Sequence, residues 1–113
     1  LPLSSSAAVV ASAHALLRAA RAERMFRGFL EAARDASPRD ESTLGRLAAA
    51  YWLAKRNDDF AAVVKDVEAF DRKPGLFYVE LADAVEHRKR YAAAGEWYRK
   101  AAELRPALAP ARN

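Results

Sequence analysis

The sequence predicts an all-α chain built from three helical hairpins in a row. Two observations carry that expectation. Alanine, leucine, arginine and glutamate dominate, glycine and proline are sparse, and no stretch alternates apolar and polar residues long enough to make a strand. Breaks then divide the chain into six helical segments, and these fall into pairs of about 34 residues. A unit of that size cannot bury its apolar face alone, so three copies are expected to stack around one continuous core.

The segments are expected at 7–20, 23–36, 41–54, 59–71, 75–88 and 91–104. Ser6 stands where a hydroxyl can accept hydrogen bonds from the free amides that open the first helix. The run Ala7 to Ala13 looks like a signal-peptide apolar region. No basic segment precedes it, however, and its pattern continues through Leu16 and Leu17, which is helical behaviour. Beginning at Leu1, the chain is read as processed or as a piece of something longer. Pro38-Arg39-Asp40 separates the second helix from the third, with Asp40 as the cap. Lys55 to Asp59 reads as a long turn, Asn57-Asp58-Asp59 both turning the chain and capping the helix that carries Phe60. A shorter helix is expected to follow. Pro74-Gly75 breaks the chain again, and Pro106 closes the sixth helix. Gly28, Gly45 and Gly95 lie inside helical stretches, each at a cost of about 1 kcal/mol against alanine, as expected where neighbouring helices approach closely.

With 113 residues, the chain makes one domain, its copies running 7–40, 41–74 and 75–108 before a short tail at 109–113. No apolar run approaches the roughly 20 residues of a membrane span. Cysteine is absent, which removes disulfides, thiolate metal sites and cysteine nucleophiles together. The net charge of +4 raises a nucleic-acid reading, but the basic residues are scattered among acidic ones and gather at turns and helix ends. Catalytic groupings are missing. His14 and His87 lie in different copies, Ser4-Ser5-Ser6 has no nucleophile motif, and there is no glycine-rich phosphate loop. His14 is expected between packed helices, and His87 facing solvent near a helix end, with a place in a binding groove as its other reading. No cofactor, metal or catalytic residue is assigned, and the chain is read as non-enzymatic.

The last copy resembles the tetratricopeptide repeat, whose first helix reads W-x₂-L-G-x₂-Y and whose second carries A-x₃-F and then proline. Tyr78, Leu81, Ala82 and Val85 take the first set of places; Ala94, Tyr98 and Pro106 take the second. Val10, Ala13, His14 and Leu17 with Phe26, Leu30, Ala33 and Pro38 keep the frame in the first copy. There His14 replaces a very small residue and Phe26 the usual alanine. Leu44, Leu47, Ala48 and Tyr51 open the middle copy, and Phe60, Val63, Val67 and Phe70 resume it. The resemblance covers residues 7–108. It implies a right-handed α-solenoid of three stacked repeats. An irregular helical bundle and the RNA-reading pentatricopeptide repeats are the rival patterns; the aromatic–small–aromatic arrangement around Ala82, Ala94 and Ala101 favours the tetratricopeptide kind.

The resemblance also implies a concave groove lined by the first helix of each copy, where a partner protein or peptide docks. By register it assigns Arg18, Arg46, Ala49, Trp52, Leu53, Val79, Glu80, Asp83 and Glu86 to partner binding, with Ala11, Ala15 and Gly45 as small walls and Ala19 and His87 as further lining positions. Trp52 suits either packing or the groove. Of the places that clamp acidic chaperone tails in some family members, here Ala11, Ala15, Arg46, Leu76 and Glu80, only Arg46 fits, which argues against that ligand. A segment with apolar anchors and positive charge is expected instead. The alternative is a helical-repeat nucleic-acid-binding domain. At the far end only Arg105 to Asn113 follow the last helix, too few for a polar capping helix. Trp97, which the resemblance expects to pack against adjacent helices or to lie partly open at the end of the stack, joins Ala101 and Leu104 as apolar surface that further repeats or a second copy in a homo-oligomer would cover.

Overall fold

The computed structural model describes residues 2–108, and the side chains of residues 6–107. Within them the chain is helical throughout and has no strand. Helix α1 spans Pro2–Ala36, α2 Glu41–Leu53, α3 Asn57–Phe70, α4 Gly75–His87 and α5 Tyr91–Leu104, with a 3₁₀ turn at Pro106–Leu108.

Helices α2/α3 and α4/α5 are two antiparallel hairpins built to one plan, and the plan repeats at 34 residues in its hydrogen bonds. The Arg56 amide donates to the Tyr51 carbonyl, and Arg90 to Val85; Lys55 donates to Trp52, and Lys89 to Glu86. Each turn passes through a lysine in the left-handed region, Lys55 at φ 60° and Lys89 at φ 64°. The hairpins then end alike, Asp71 donating to Val67 and Arg105 to Ala101.

Asp40 caps α2 as expected: its side chain accepts from the Ser42 amide at 3.1 Å and from the Thr43 hydroxyl at 2.9 Å. The long turn expected at Lys55–Asp59 is not formed. Asn57, Asp58 and Asp59 belong to α3, where the two carboxylates occupy the first turn. Negative charge there is stabilised by the free amides of the helix start, and Asp59 also takes the Arg56 guanidinium at 2.7 Å. The second helix of this hairpin is therefore not shortened.

The larger difference is at the other end of the chain. The two helices expected at 7–20 and 23–36 are one continuous helix, and Ser6, the expected cap, lies inside it. Ala20-Arg21-Ala22-Glu23-Arg24-Met25 contains no glycine, proline or asparagine, and every residue in it propagates a helix well. From Ser6 to Ala19 every residue is exposed, so the first half of α1 stands clear of the rest. Its second half docks on α2 through Leu30, and the Tyr51 hydroxyl donates to Glu31. Burial and that carboxylate both raise the Tyr51 pKa. His14, expected between packed helices, is exposed.

The core lies between α2 and α4 and is closed by α3 and α5. Leu44, Leu47, Ala48, Phe77, Leu81, Ala82 and Val85 are at most 1% exposed. Gly45 lets α2 and α4 touch: a Cβ there would stand 2.6 Å from the Phe77 carbonyl oxygen and 2.7 Å from the Glu80 Cβ. Gly28 and Gly95 make no such approach, because a Cβ at either meets open space. The C-terminal helix is also better covered than its sequence suggests. Ala101 is buried, Leu104 half-buried, and the half-buried Trp97 packs on Trp52 and Phe60 with ring centres 5.1 and 5.8 Å apart. Most of the exposed large apolar side chains sit on α1 instead, with Leu76 of α4 and Tyr91 of α5 the others among the described residues.

Candidate functional site

A groove of about 940 Å³ runs across α1, α2 and α4. Its floor is made of small residues, Ala49 and Ala50 from α2 and Ala84 from α4, with Leu53 beside them. One turn before Ala49, Gly45 brings α2 and α4 into contact. The wall is α1, which contributes Leu16, Ala19, Ala20, Ala22 and Phe26.

Charge lines the opposite rim. Arg46 Nε lies 3.5 Å from Glu80 Oε2, the arginine more than half exposed and the glutamate mostly covered. One turn further along α4, His87 Nδ1 stands 2.8 Å from the Asp83 carbonyl oxygen and 3.8 Å from its carboxylate. The backbone carbonyl and then the carboxylate of Asp83 hold the His87 pKa above its ordinary value. Arg88 continues that edge, while Glu23, paired with Arg27 at 3.6 Å, stands on the α1 wall. The rim opposite α1 thus offers two carboxylates and two guanidinium groups beside His87, over an apolar floor.

Of the residues assigned from register, Arg46, Ala49, Leu53, Glu80 and Asp83 line this groove together. The other four do not. Trp52 turns toward α5 and stacks edge-on against Trp97, and Val79 packs half-buried against the core. Glu86 accepts from the Tyr98 hydroxyl of α5 at 3.4 Å. Arg18 is exposed on the free half of α1. Ala11 and Ala15, expected as small walls, are likewise exposed there and away from the lining. Ala19, assigned to the groove by register, does line it, but the rest of the α1 wall escaped the sequence reading. Register places second helices behind first helices, whereas Ala20, Ala22, Glu23 and Phe26 reach the groove only because α1 does not turn back. The signal that could have found them is the unbroken run of helix formers from Ala20 to Met25.

A second, smaller depression near the other end of the hairpins joins all four of their helices. Glu41 accepts from the Phe77 amide at 3.1 Å and faces Asp71, while Arg105 reaches Asp71 at 3.5 Å and the Lys73 carbonyl at 2.8 Å. Burial and the neighbouring Asp71 raise the Glu41 pKa; the hydrogen bond from Glu41 lowers that of Asp71. These groups tie one hairpin to the next. Among the described residues no group of three His, Asp or Glu side chains is placed to hold a metal ion, and no helix is long and apolar enough to cross a membrane.

Neither a family model, nor a curated protein, nor a solved structure matches this chain.

Proposed function

We propose that the chain is a non-catalytic interaction domain of the tetratricopeptide kind, a scaffold or adaptor whose groove takes an apolar helix or peptide carrying positive charge. The observation that carries this reading is the alanine floor beneath an acidic rim. Ala49, Ala50 and Ala84 let a ligand approach closely, Leu53 and Phe26 offer it apolar contact, and Glu80 and Asp83 favour a basic flank. The 34-residue repetition of turns and helix ends in the two hairpins supports the family reading.

The test uses helical peptides with leucine anchors and either arginine or glutamate flanks, titrated by fluorescence anisotropy. The arginine-flanked peptide is expected to bind more tightly. Glu80→Lys with Asp83→Lys should reverse that preference, and Ala50→Trp should abolish binding of both peptides while the helical signal in circular dichroism is kept. Equal binding of both peptides, unaffected by either variant, would overturn the proposal. Tight, steeply salt-dependent binding of an oligonucleotide in the same assay would favour the nucleic-acid alternative.

A further inference from the structure

Between residues 6 and 34, both carboxylates of α1 are engaged on the side of the helix that meets the rest of the fold. Glu23 pairs with Arg27 at 3.6 Å and lines the groove, and Glu31 accepts from the Tyr51 hydroxyl of α2. The outer side of the helix is different. There Val10, Leu17, Met25 and Phe29 are 53%, 54%, 75% and 71% exposed. Arg18, Arg21 and Arg24 are exposed beside them and make no ion pair or hydrogen bond among the described residues.

Helix geometry gathers these side chains onto one face. At 3.6 residues per turn, the four apolar residues fall within an arc of roughly 120°. Arg18 and Arg21 lie inside that arc, and Arg24 about 20° past its edge. Leu30, buried against α2, stands roughly 160° from the middle of the arc. The face therefore turns away from the hairpins, and none of its residues lines the groove. Asp35, the next carboxylate along the chain, is held by Arg34 at 3.4 Å.

We propose that this outer face of α1 lies on an anionic lipid bilayer. Val10, Leu17, Met25 and Phe29 enter the boundary between head groups and acyl chains, and the three guanidinium groups pair with lipid phosphates. Arg21, in the middle of the arc, reaches back to the head groups along its own methylene stem. The helix rests on the surface and does not cross it, since no described helix is long and apolar enough to span a membrane.

Charge selects this occupant. An apolar face with three unpaired cations, and with its nearest carboxylates engaged elsewhere, complements an anionic surface. The shape of the face agrees. Residues 7–36 make a straight helix about 45 Å long, and the large apolar side chains are spread thinly along it. Fluid lipid closes around each of them, whereas a folded protein would need a matching pocket for every one. The site stands apart from the groove, which stays open when α1 is on the membrane, so it does not rest on the peptide-binding reading.

The full chain is mixed with vesicles of phosphatidylcholine alone, or of phosphatidylcholine and phosphatidylserine in equal parts, and binding is read by co-sedimentation. Binding is expected with the anionic vesicles and should weaken as salt is raised. The chain has no cysteine, so a polarity-sensitive dye is placed at Met25→Cys on this face or at Glu96→Cys on α5. Its emission should shift to the blue at position 25 and not at position 96. Arg18→Gln, Arg21→Gln and Arg24→Gln together keep good helix formers and should weaken partitioning about a hundredfold. Circular dichroism guards against loss of folding in each variant. Failure to bind the anionic vesicles, equal binding to both kinds, or full binding by the arginine variant would each overturn the proposal, as would a blue shift confined to position 96. Capture of an acidic amphipathic peptide through position 25, with vesicles ignored, would assign the face to a protein and overturn the lipid reading.

Discussion

The turn at Lys89 and the helix through Arg21 occupy the same place in the repeat, yet one doubles back and the other runs straight. Both sites carry a long basic residue, but Arg21 stands between two alanines, the strongest helix formers, whereas Lys89 stands between two arginines with His87 and Tyr91 close by. The reward for turning differs as well. Closing at Lys89 lets α4 and α5 bury Leu81, Val85 and Ala94 against each other, with Trp97 packed alongside. Closing at Arg21 would set Val10, Ala13 and His14 against Phe26 and Phe29, with a histidine where the other hairpins place Ala48 and Ala82. A left-handed residue costs roughly 1–2 kcal/mol, and the chain accepts that cost where the faces are well matched.

The contrast is sharpest in the core. Leu81→Ala should cost about 3 kcal/mol in chemical unfolding, because it opens a cavity in a site with no exposure. Leu17→Ala, on the exposed half of α1, should cost less than about 0.5 kcal/mol. Equal losses would mean that the first half of α1 is packed in solution as α4 is. Glycine offers the next comparison. Gly45→Ala forces a Cβ into the Phe77 carbonyl and should destabilise by about 1–3 kcal/mol, and it should widen the groove by parting α2 from α4. Gly28→Ala meets open space and should stabilise by about 0.5–1 kcal/mol.

A smaller effect tests the two turns against each other. Lys89→Gly removes the left-handed penalty and should raise stability by about 0.5–1 kcal/mol, whereas Arg21→Gly, inside α1, should lower it by about 1 kcal/mol. Thermal unfolding followed at 222 nm (a standard helix signal) reads both. Like signs would show that residue 21 already turns as residue 89 does.

The smallest effect is a pH dependence at the junction of the hairpins. The Glu41 pKa is raised in the fold, so the stability it contributes is present while it is protonated and fades as pH rises through its folded pKa. Glu41→Gln keeps an acceptor for the Phe77 amide and cannot ionise. The melting temperature of the variant relative to the parent should therefore rise from acid pH toward neutrality. Asp71 works in the opposite sense, its lowered pKa adding stability that is lost on acidification, so both chains still weaken in acid. A difference that stays flat across the carboxylate range would show that Glu41 ionises in the fold as it does unfolded.

Much of this was legible before any coordinates. The apolar frame of Leu44, Leu47, Ala48 and Tyr51, repeated in Tyr78, Leu81, Ala82 and Val85, located α2 and α4, and Asp40 and Pro74 marked their starts. Asn57-Asp58-Asp59 misled because the residues that favour turns also favour the first turn of a helix, and sequence order does not distinguish the two. Five of the nine groove assignments meet at the groove because register along α2 and α4 is a local property. Trp52 and Glu86 do not, because their orientation depends on Trp97 and Tyr98 in another helix.

By itself the sequence determined where helices form and the 34-residue beat of the hairpins, since both follow from short-range propensity and the spacing of apolar side chains. Tertiary structure decided that the flank of α1 becomes a groove wall and that most of the open apolar surface lies on the first helix. Each of those outcomes weighs a local backbone cost against contacts made far along the chain, and no window of neighbouring residues contains both sides of that balance.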